Sequence, residues 1–153
     1  MTFKMDLPDG FSGPTALPGS DDQAKKWQEA NKAFWEKHPM RYDWKKEIPY
    51  EEFSKEFYQE IDSRVFHDLR AYMPWEKIPF DSLIDFSSLS KKDVLEIGIG
   101  NGSHAQLLAK YARSFTGIDI TDYAVKSTSI TLAIIKVTSG YKFQTAAYRT
   151  DFS

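Results

Sequence analysis

Val94-Leu95-Glu96-Ile97-Gly98-Ile99-Gly100-Asn101-Gly102 reads as a short buried strand running into a glycine-rich turn, with a helix predicted directly behind it. A carboxylate closes the strand and three glycines alternate after it. Glycine reaches positive φ and carries no Cβ to hold a ligand away from the backbone. The helix behind the turn offers free N–H groups and a partial positive charge to an anionic group. About 17 residues beyond the last glycine, a second apolar run from Phe115 to Ile120 contains Asp119 near its end. If the two strands are parallel, Asp119 lies at the carboxyl edge of the sheet, where ligands of open parallel sheets bind. From there it can accept two hydrogen bonds from a ribose diol, and bonds to a charged group are worth roughly 1.5–3 kcal/mol.

Outward from this stretch the pattern alternates. Strands are predicted over 94–97 and 115–120, helices over 103–112 and 123–137, and a third strand over 141–145. Strand–helix–strand order implies an α/β fold with a parallel sheet and right-handed crossovers. Upstream, Ser20 and Gln23 have capping-box spacing, and Ala24, Trp27, Ala30, Phe34 and Trp35 follow at helical intervals until Pro39 ends the helix near Lys37. A second helix is predicted from near Pro49, a residue suited to a first turn. Its stripe is Phe53, Phe57, Ile61, Val65 and Leu69, widened by Tyr58 and Phe66, and Glu51 and Glu52 favour the positive end of its dipole. Pro74 and Pro79 bracket a connector to about Phe86. Three units result: a flexible lead-in over 1–20, a helical cap over 21–90, and a Rossmann-like unit over 91–153.

Composition narrows the function classes. The formal net charge of −2 lacks the basic face that a phosphate-backbone binder needs. No apolar run approaches the roughly 18 residues of a membrane helix, and Met1 to Ser20 holds no apolar core of signal-peptide type. Absence of cysteine excludes disulfides and thiolate metal sites within the chain and fits a cytoplasmic setting. The three histidines, His38, His67 and His104, are too dispersed to predict a metal site.

Spacing alone also fits dinucleotide binding. The NAD fingerprint wants a glycine or alanine three residues after its second glycine, and here that position is Ser103, with the extra glycine at Gly102. Glu96 would also set a negative charge near a pyrophosphate. Beside a cationic sulfonium and an amino group the same charge is favourable.

The segment VLEIGIGNGSHAQLLAKYARSFTGIDIT, residues 94–121, resembles motif I and the following acidic strand of class I S-adenosylmethionine-dependent methyltransferases. The likeness extends over about residues 92–145. Less specifically, FWEKHPMRYDW, residues 34–44, and the helix after Pro49 look like the N-terminal helices of the methyltransferase type 11 group. The resemblance implies that Glu96, Gly98, Gly100 and Gly102 line the methionine part of S-adenosylmethionine. It implies that Asp119 holds the ribose and Ile120 packs on the adenine, with Ile97 and Asn101 completing the cofactor set. No catalytic residue is assigned.

Two departures accompany the resemblance. Ala146 stands where the family usually has an acid for the adenine amino group. The family orders its sheet 3-2-1-4-5-7-6, and only 3-2-1 is expected before Ser153. The strand over 94–97, central in the family, would then have a bare edge open to association. Ile130 to Ser153 holds one acid, Asp151. The chain is therefore read as a C-terminally truncated or frame-shifted portion of a longer enzyme, inactive by itself, whose acceptor would be a small molecule or lipid-like compound. Rival readings are a nicotinamide oxidoreductase and a non-catalytic binding or interaction module.

Plainer roles stand beside these. Ranked below the ligand-binding readings are a bare strand-to-helix turn for the glycines and a solvated strand-end acid or helix cap for Asp119. Asp122 reads as a helix cap, His104 as a surface or capping residue, His38 as a helix-end residue and His67 as a surface residue. Trp27, Phe34, Trp35, Tyr42 and Trp44 read as packing for the cap, with a lid over the substrate as the alternative. Arg41, Lys45 and Lys46 read as a solvated stretch.

Overall fold

A computed structural model of the chain describes residues 17–137 and 140–145. The lead-in up to residue 16, Ala146 and Asp151 lie outside the described residues. Helices α1 (Asp21–Lys37) and α2 (Lys55–Arg70) come first, then a 3₁₀ turn over Phe86–Lys91. There follow β1 (Asp93–Ile97), α3 (Ser103–Tyr111), β2 (Ser114–Asp119), α4 (Asp122–Ile134) and β3 (Gly140–Thr145). All three strands are parallel and β2 lies between the others. This is the expected 3-2-1 order read from the opposite edge.

Register places Val94 beside Phe115, and Glu96 beside Gly117 and Phe143. That face of the sheet packs on α3 and α4 through a core of Ala105, Ala109, Phe115 and Leu132, with Val94 and Phe143 against it. Consecutive right-handed crossovers put both helices on one side. Gly117 permits the close approach: a Cβ there would sit 2.8 Å from Ile99 Cγ2 and 2.9 Å from Phe143. Leu95 and Ile97 point to the other face and stay 59% and 76% exposed, so β1 is a bare-faced edge strand among the described elements.

The cap packs onto the sheet's own helices. Ile48, Phe57, Tyr58, Ile61 and Val65 form a second core that takes in Ile130 and Ile134 of α4. Each fully buried aliphatic side chain contributes about 1.5–3 kcal/mol. Tyr58 also donates its hydroxyl to the Ser127 carbonyl at 3.0 Å, so its buried polar atom is satisfied. Among the described residues, no helix is long and apolar enough to cross a membrane.

Helix α1 starts as its sequence predicts: Ser20 Oγ accepts from Gln23 N at 3.2 Å. Gln23 returns a bond to Gly19 N at 2.7 Å, one residue before the usual capping-box partner. Helix α2 corrects the expectation of a start near Pro49. Phe53 takes φ +67, which a helix cannot hold, and Ser54 Oγ then accepts from Phe57 N at 3.1 Å as the true cap. Glu51 and Glu52 therefore precede the helix. Asp122 is likewise not the cap of α4; Thr121 is, accepting from Ala124 N at 3.2 Å. Asp122 instead pairs with Lys32 at 3.2 Å and accepts from Thr145 Oγ1 at 2.7 Å.

Ser54→Ala is expected to lower unfolding stability by about 1 kcal/mol through loss of the cap. Glu51→Gln should shift it by less than about 0.5 kcal/mol. Urea denaturation of both variants distinguishes the two helix starts, and the reverse ranking would favour Pro49.

Candidate functional site

The turn after β1 takes the conformation its glycines permit. Gly98, Gly100 and Gly102 have φ of +80, +54 and +88, a region that costs other residues about 1–2 kcal/mol each. Their surroundings differ. A Cβ on Gly98 or Gly100 would meet open space, whereas one on Gly102 would press on Thr128 at 3.1 Å. The first two glycines open the turn toward a cavity, and the third seats α3 against α4.

Helix α4 fixes the turn from behind. Thr128 Oγ1 donates to the Gly100 carbonyl at 3.0 Å, and Thr131 Oγ1 to the Asn101 carbonyl at 2.8 Å. Ser127 Oγ donates to Asn101 Oδ1 at 2.8 Å, while the Asn101 amide donates to the Met40 carbonyl. All three hydroxyl residues are buried. Asp119 secures the front. Its Oδ2 accepts from Gly100 N at 3.3 Å, and its Oδ1 accepts from Thr121 N at 2.9 Å and Thr121 Oγ1 at 2.8 Å. The two sequence features thus meet at one point.

Between them lies a cavity of about 410 Å³, within the range of small-molecule sites. Glu96, Ile97, Gly98, Gly100, Asn101, Asp119 and Ile120 all line it. Gly102 is not in the lining and is buried against Thr128. The opposite wall comes from the cap: Trp35, Pro39, Met40, Tyr42 and Val65, with Tyr123 of α4. Neither lysine nor arginine is in the lining.

Sequence reading missed most of what holds that wall. Tyr42 sits at φ +58, in a segment braced by Arg64. The Arg64 guanidinium donates to the carbonyls of Tyr42 at 2.9 Å, Lys46, and Glu47 at 3.2 Å, and pairs with Glu60. Tyr123 donates to Glu52 at 2.8 Å; burial first, then Glu52, keeps its phenol protonated far above the usual range. Arg41 pairs with Glu52 and Asp43, and Lys45 with Asp68, while Lys45 and Lys46 stay exposed, as a solvated stretch would be. Glu36 accepts from Asp122 N at 2.6 Å and holds α1 at the start of α4. The aromatic set divides: Trp35 and Tyr42 line the cavity, Phe34 is buried against Trp35 and His38, and Trp44 is exposed.

Glu96 is the electrostatic oddity. Its side chain is 13% exposed, Oε2 has no hydrogen-bond partner among the described residues, and burial raises its pKa to about 7. His104 Nδ1 stands 3.8 Å from it, beyond hydrogen-bond reach. Burial lowers the His104 pKa, partly opposed by Asp62. Its ring packs edge-on against Phe80 at 4.7 Å. His104 lines the cavity and is also half exposed, as the surface reading expected. His38 is the α1 cap, donating from Nδ1 to the Phe34 carbonyl at 3.0 Å, and His67 is exposed beside Asp68. Among the described residues, no three His, Cys, Asp or Glu side chains converge as a metal site.

In comparisons with known proteins, no family model matches the chain, and no match was found among curated proteins or solved structures.

Glu96 gives a stability prediction. Its folded pKa of about 7 exceeds the ordinary 4.5, so between those values the folded state holds more protons and stability falls as pH rises. Glu96→Gln is expected to stabilise the free protein at about pH 8 by up to about 3 kcal/mol, with the advantage gone near pH 4. Urea midpoints at the two pH values check this. Equal shifts at both would mean that Glu96 ionises without penalty.

Proposed function

We propose that the chain is the cofactor-binding part of an S-adenosylmethionine-dependent methyltransferase of class I type, with a methyltransferase-like sheet and an N-terminal helical cap. The observation that carries this is the lining of one cavity by open glycine backbone, two carboxylates and neither lysine nor arginine. A ligand fitting that wall is cationic and close to the backbone. A pyrophosphate would face Glu96 and Asp119 without a basic side chain, which disfavours a nicotinamide dinucleotide.

The residues present suit the group. Gly98 and Gly100 leave space where a Cβ would stand, and the Glu96 carboxyl lines the same cavity. Asp119 Oδ2 has a single long bond from Gly100, leaving lone pairs for a diol, since an ionised carboxylate accepts at about four sites. Ile120, on the lining beside Asp119, offers an apolar surface for a base. S-adenosylmethionine supplies an electrophilic methyl group. The chain's own residues position and desolvate it, which is the main requirement of such a transfer. Trp35, Met40, Tyr42 and Tyr123 make the facing wall largely aromatic and apolar, in keeping with a small or lipid-like acceptor.

Asp119→Ala is expected to weaken S-adenosylhomocysteine binding at least about tenfold, equivalent to about 1.4 kcal/mol, by titration calorimetry. Unchanged affinity would remove Asp119 from the site. In thermal-shift measurements S-adenosylhomocysteine should raise the midpoint and NADH should not, because only a ligand of the folded state does so. The opposite result would favour the oxidoreductase.

An interaction module is the second reading, favoured by the exposed Leu95 and Ile97 on a strand that is at the sheet's edge among the described residues. Light scattering on the purified chain distinguishes it: a defined oligomer in the absence of nucleoside binding would replace the cofactor reading.

A further inference from the structure

Helix α2 joins α4 through apolar packing, whereas α1 contributes to neither apolar core among the described residues. Polar ties join α1 to one dipeptide, Asp122-Tyr123, in the first turn of α4. Glu36 Oε1 accepts from Asp122 N at 2.6 Å, and Oε2 from Tyr123 N at 3.4 Å. Amides of a first helical turn have no partner within the helix, and a carboxylate there also meets the positive end of the dipole. Lys32 Nζ adds an ion pair to Asp122 at 3.2 Å, its partners 41% and 72% exposed. Exposed pairs hold weakly and are screened by salt. Thr121, Tyr123 and Ala124 line the cavity, so these ties close beside it.

Past Pro39 the chain is fixed from another side. The Asn101 amide donates to the Met40 carbonyl, and Arg64 holds the carbonyls of Tyr42, Lys46 and Glu47. Helix α1 ends at Lys37, which leaves His38-Pro39 as a two-residue joint between helix and anchored chain. Trp35 and Pro39, on the helix and the joint, line the cavity.

We propose that α1 is a lid that turns about His38-Pro39 and latches at Asp122-Tyr123, with Glu36 the positioning residue that governs access to the cavity. The latch is a carboxylate on two backbone amides, so it opens to water without disturbing either core. Glu52 belongs to the fixed wall. It precedes α2 and accepts from the Tyr123 hydroxyl at 2.8 Å, which keeps Tyr123 in place when Glu36 leaves. The lid acts on whatever enters the cavity and goes beyond the S-adenosyl reading.

The chain has no cysteine, so nitroxide labels attached through Lys26→Cys on α1 and Lys91→Cys ahead of β1 report the lid without interference. Double electron–electron resonance on the free, full chain should give one narrow distance distribution. Glu36→Ala should broaden it or add a second population, and an unchanged distribution would overturn the inference. If Glu36→Ala does not fold, Lys32→Ala breaks the other half of the latch and is read in the same way. Stopped-flow mixing with S-adenosylhomocysteine reads the consequence for access. In Glu36→Ala the association and dissociation rate constants should rise together, each at least about threefold, with affinity little changed. A rise in dissociation alone marks a structural contact and would defeat the lid, as would unchanged rates. If the nucleoside does not bind, the cofactor reading falls by itself and the distance measurement still decides the lid.

Discussion

The hydrogen bond from Gly100 N to Asp119 ties the turn after β1 to the end of β2, and the site depends on that junction. Parallel pairing brings the two strand ends to one edge, and the bond joins the turn after one to the last residue of the other. The same carboxylate holds Thr121, which caps α4. Helix α4 in turn sends Thr128 and Thr131 back to the carbonyls of Gly100 and Asn101. Turn, strand and helix thus close a loop of mutual constraint in which each polar group satisfies another. Such a network holds backbone in a positive-φ conformation that would otherwise relax.

The cap finishes the crevice with different means. Its core is ordinary apolar packing, Phe57, Ile61 and Val65 against Ile130 and Ile134. The wall facing the cavity depends on polar braces instead. Arg64 gathers the carbonyls of residues 42, 46 and 47, and Glu52 joins Arg41 to Tyr123. Glu36 and Lys32 hold α1 at the start of α4. Few of these braces are deeply buried, so this wall is the more easily opened side of the cavity. On the sheet side the buried hydroxyls of α4 hold the turn, and Glu96 lines the cavity.

Much of the sheet was readable from sequence because its signals are local. Apolar strands, alternating glycines and a helical period set the ends of β1, α3, β2 and β3 within one or two residues. The start of α2 was not readable, since Pro49, Glu51 and Glu52 mimic first-turn chemistry while Phe53 takes a conformation outside the helix. The hydroxyl stripe of α4 escaped for a related reason. Ser127, Thr128 and Thr131 look like solvent-facing residues, yet they are buried because they serve backbone far away in sequence. Serine and threonine one turn apart, just after an acidic strand end, were the available signal. Arg64 and the raised pKa of Glu96 depend on burial and long-range contact, which a local pattern does not carry.

The central claim is that the amides of the glycine turn and the carboxylate of Asp119 grip one adenosyl ligand. Backbone amide NMR of the chain titrated with S-adenosylhomocysteine tests it most directly. The account predicts saturable shifts concentrated at Gly98, Gly100, Ile120 and Thr121, with β3 and the outer face of α2 nearly still. Shifts centred away from the cavity, or none at saturating ligand, would contradict it.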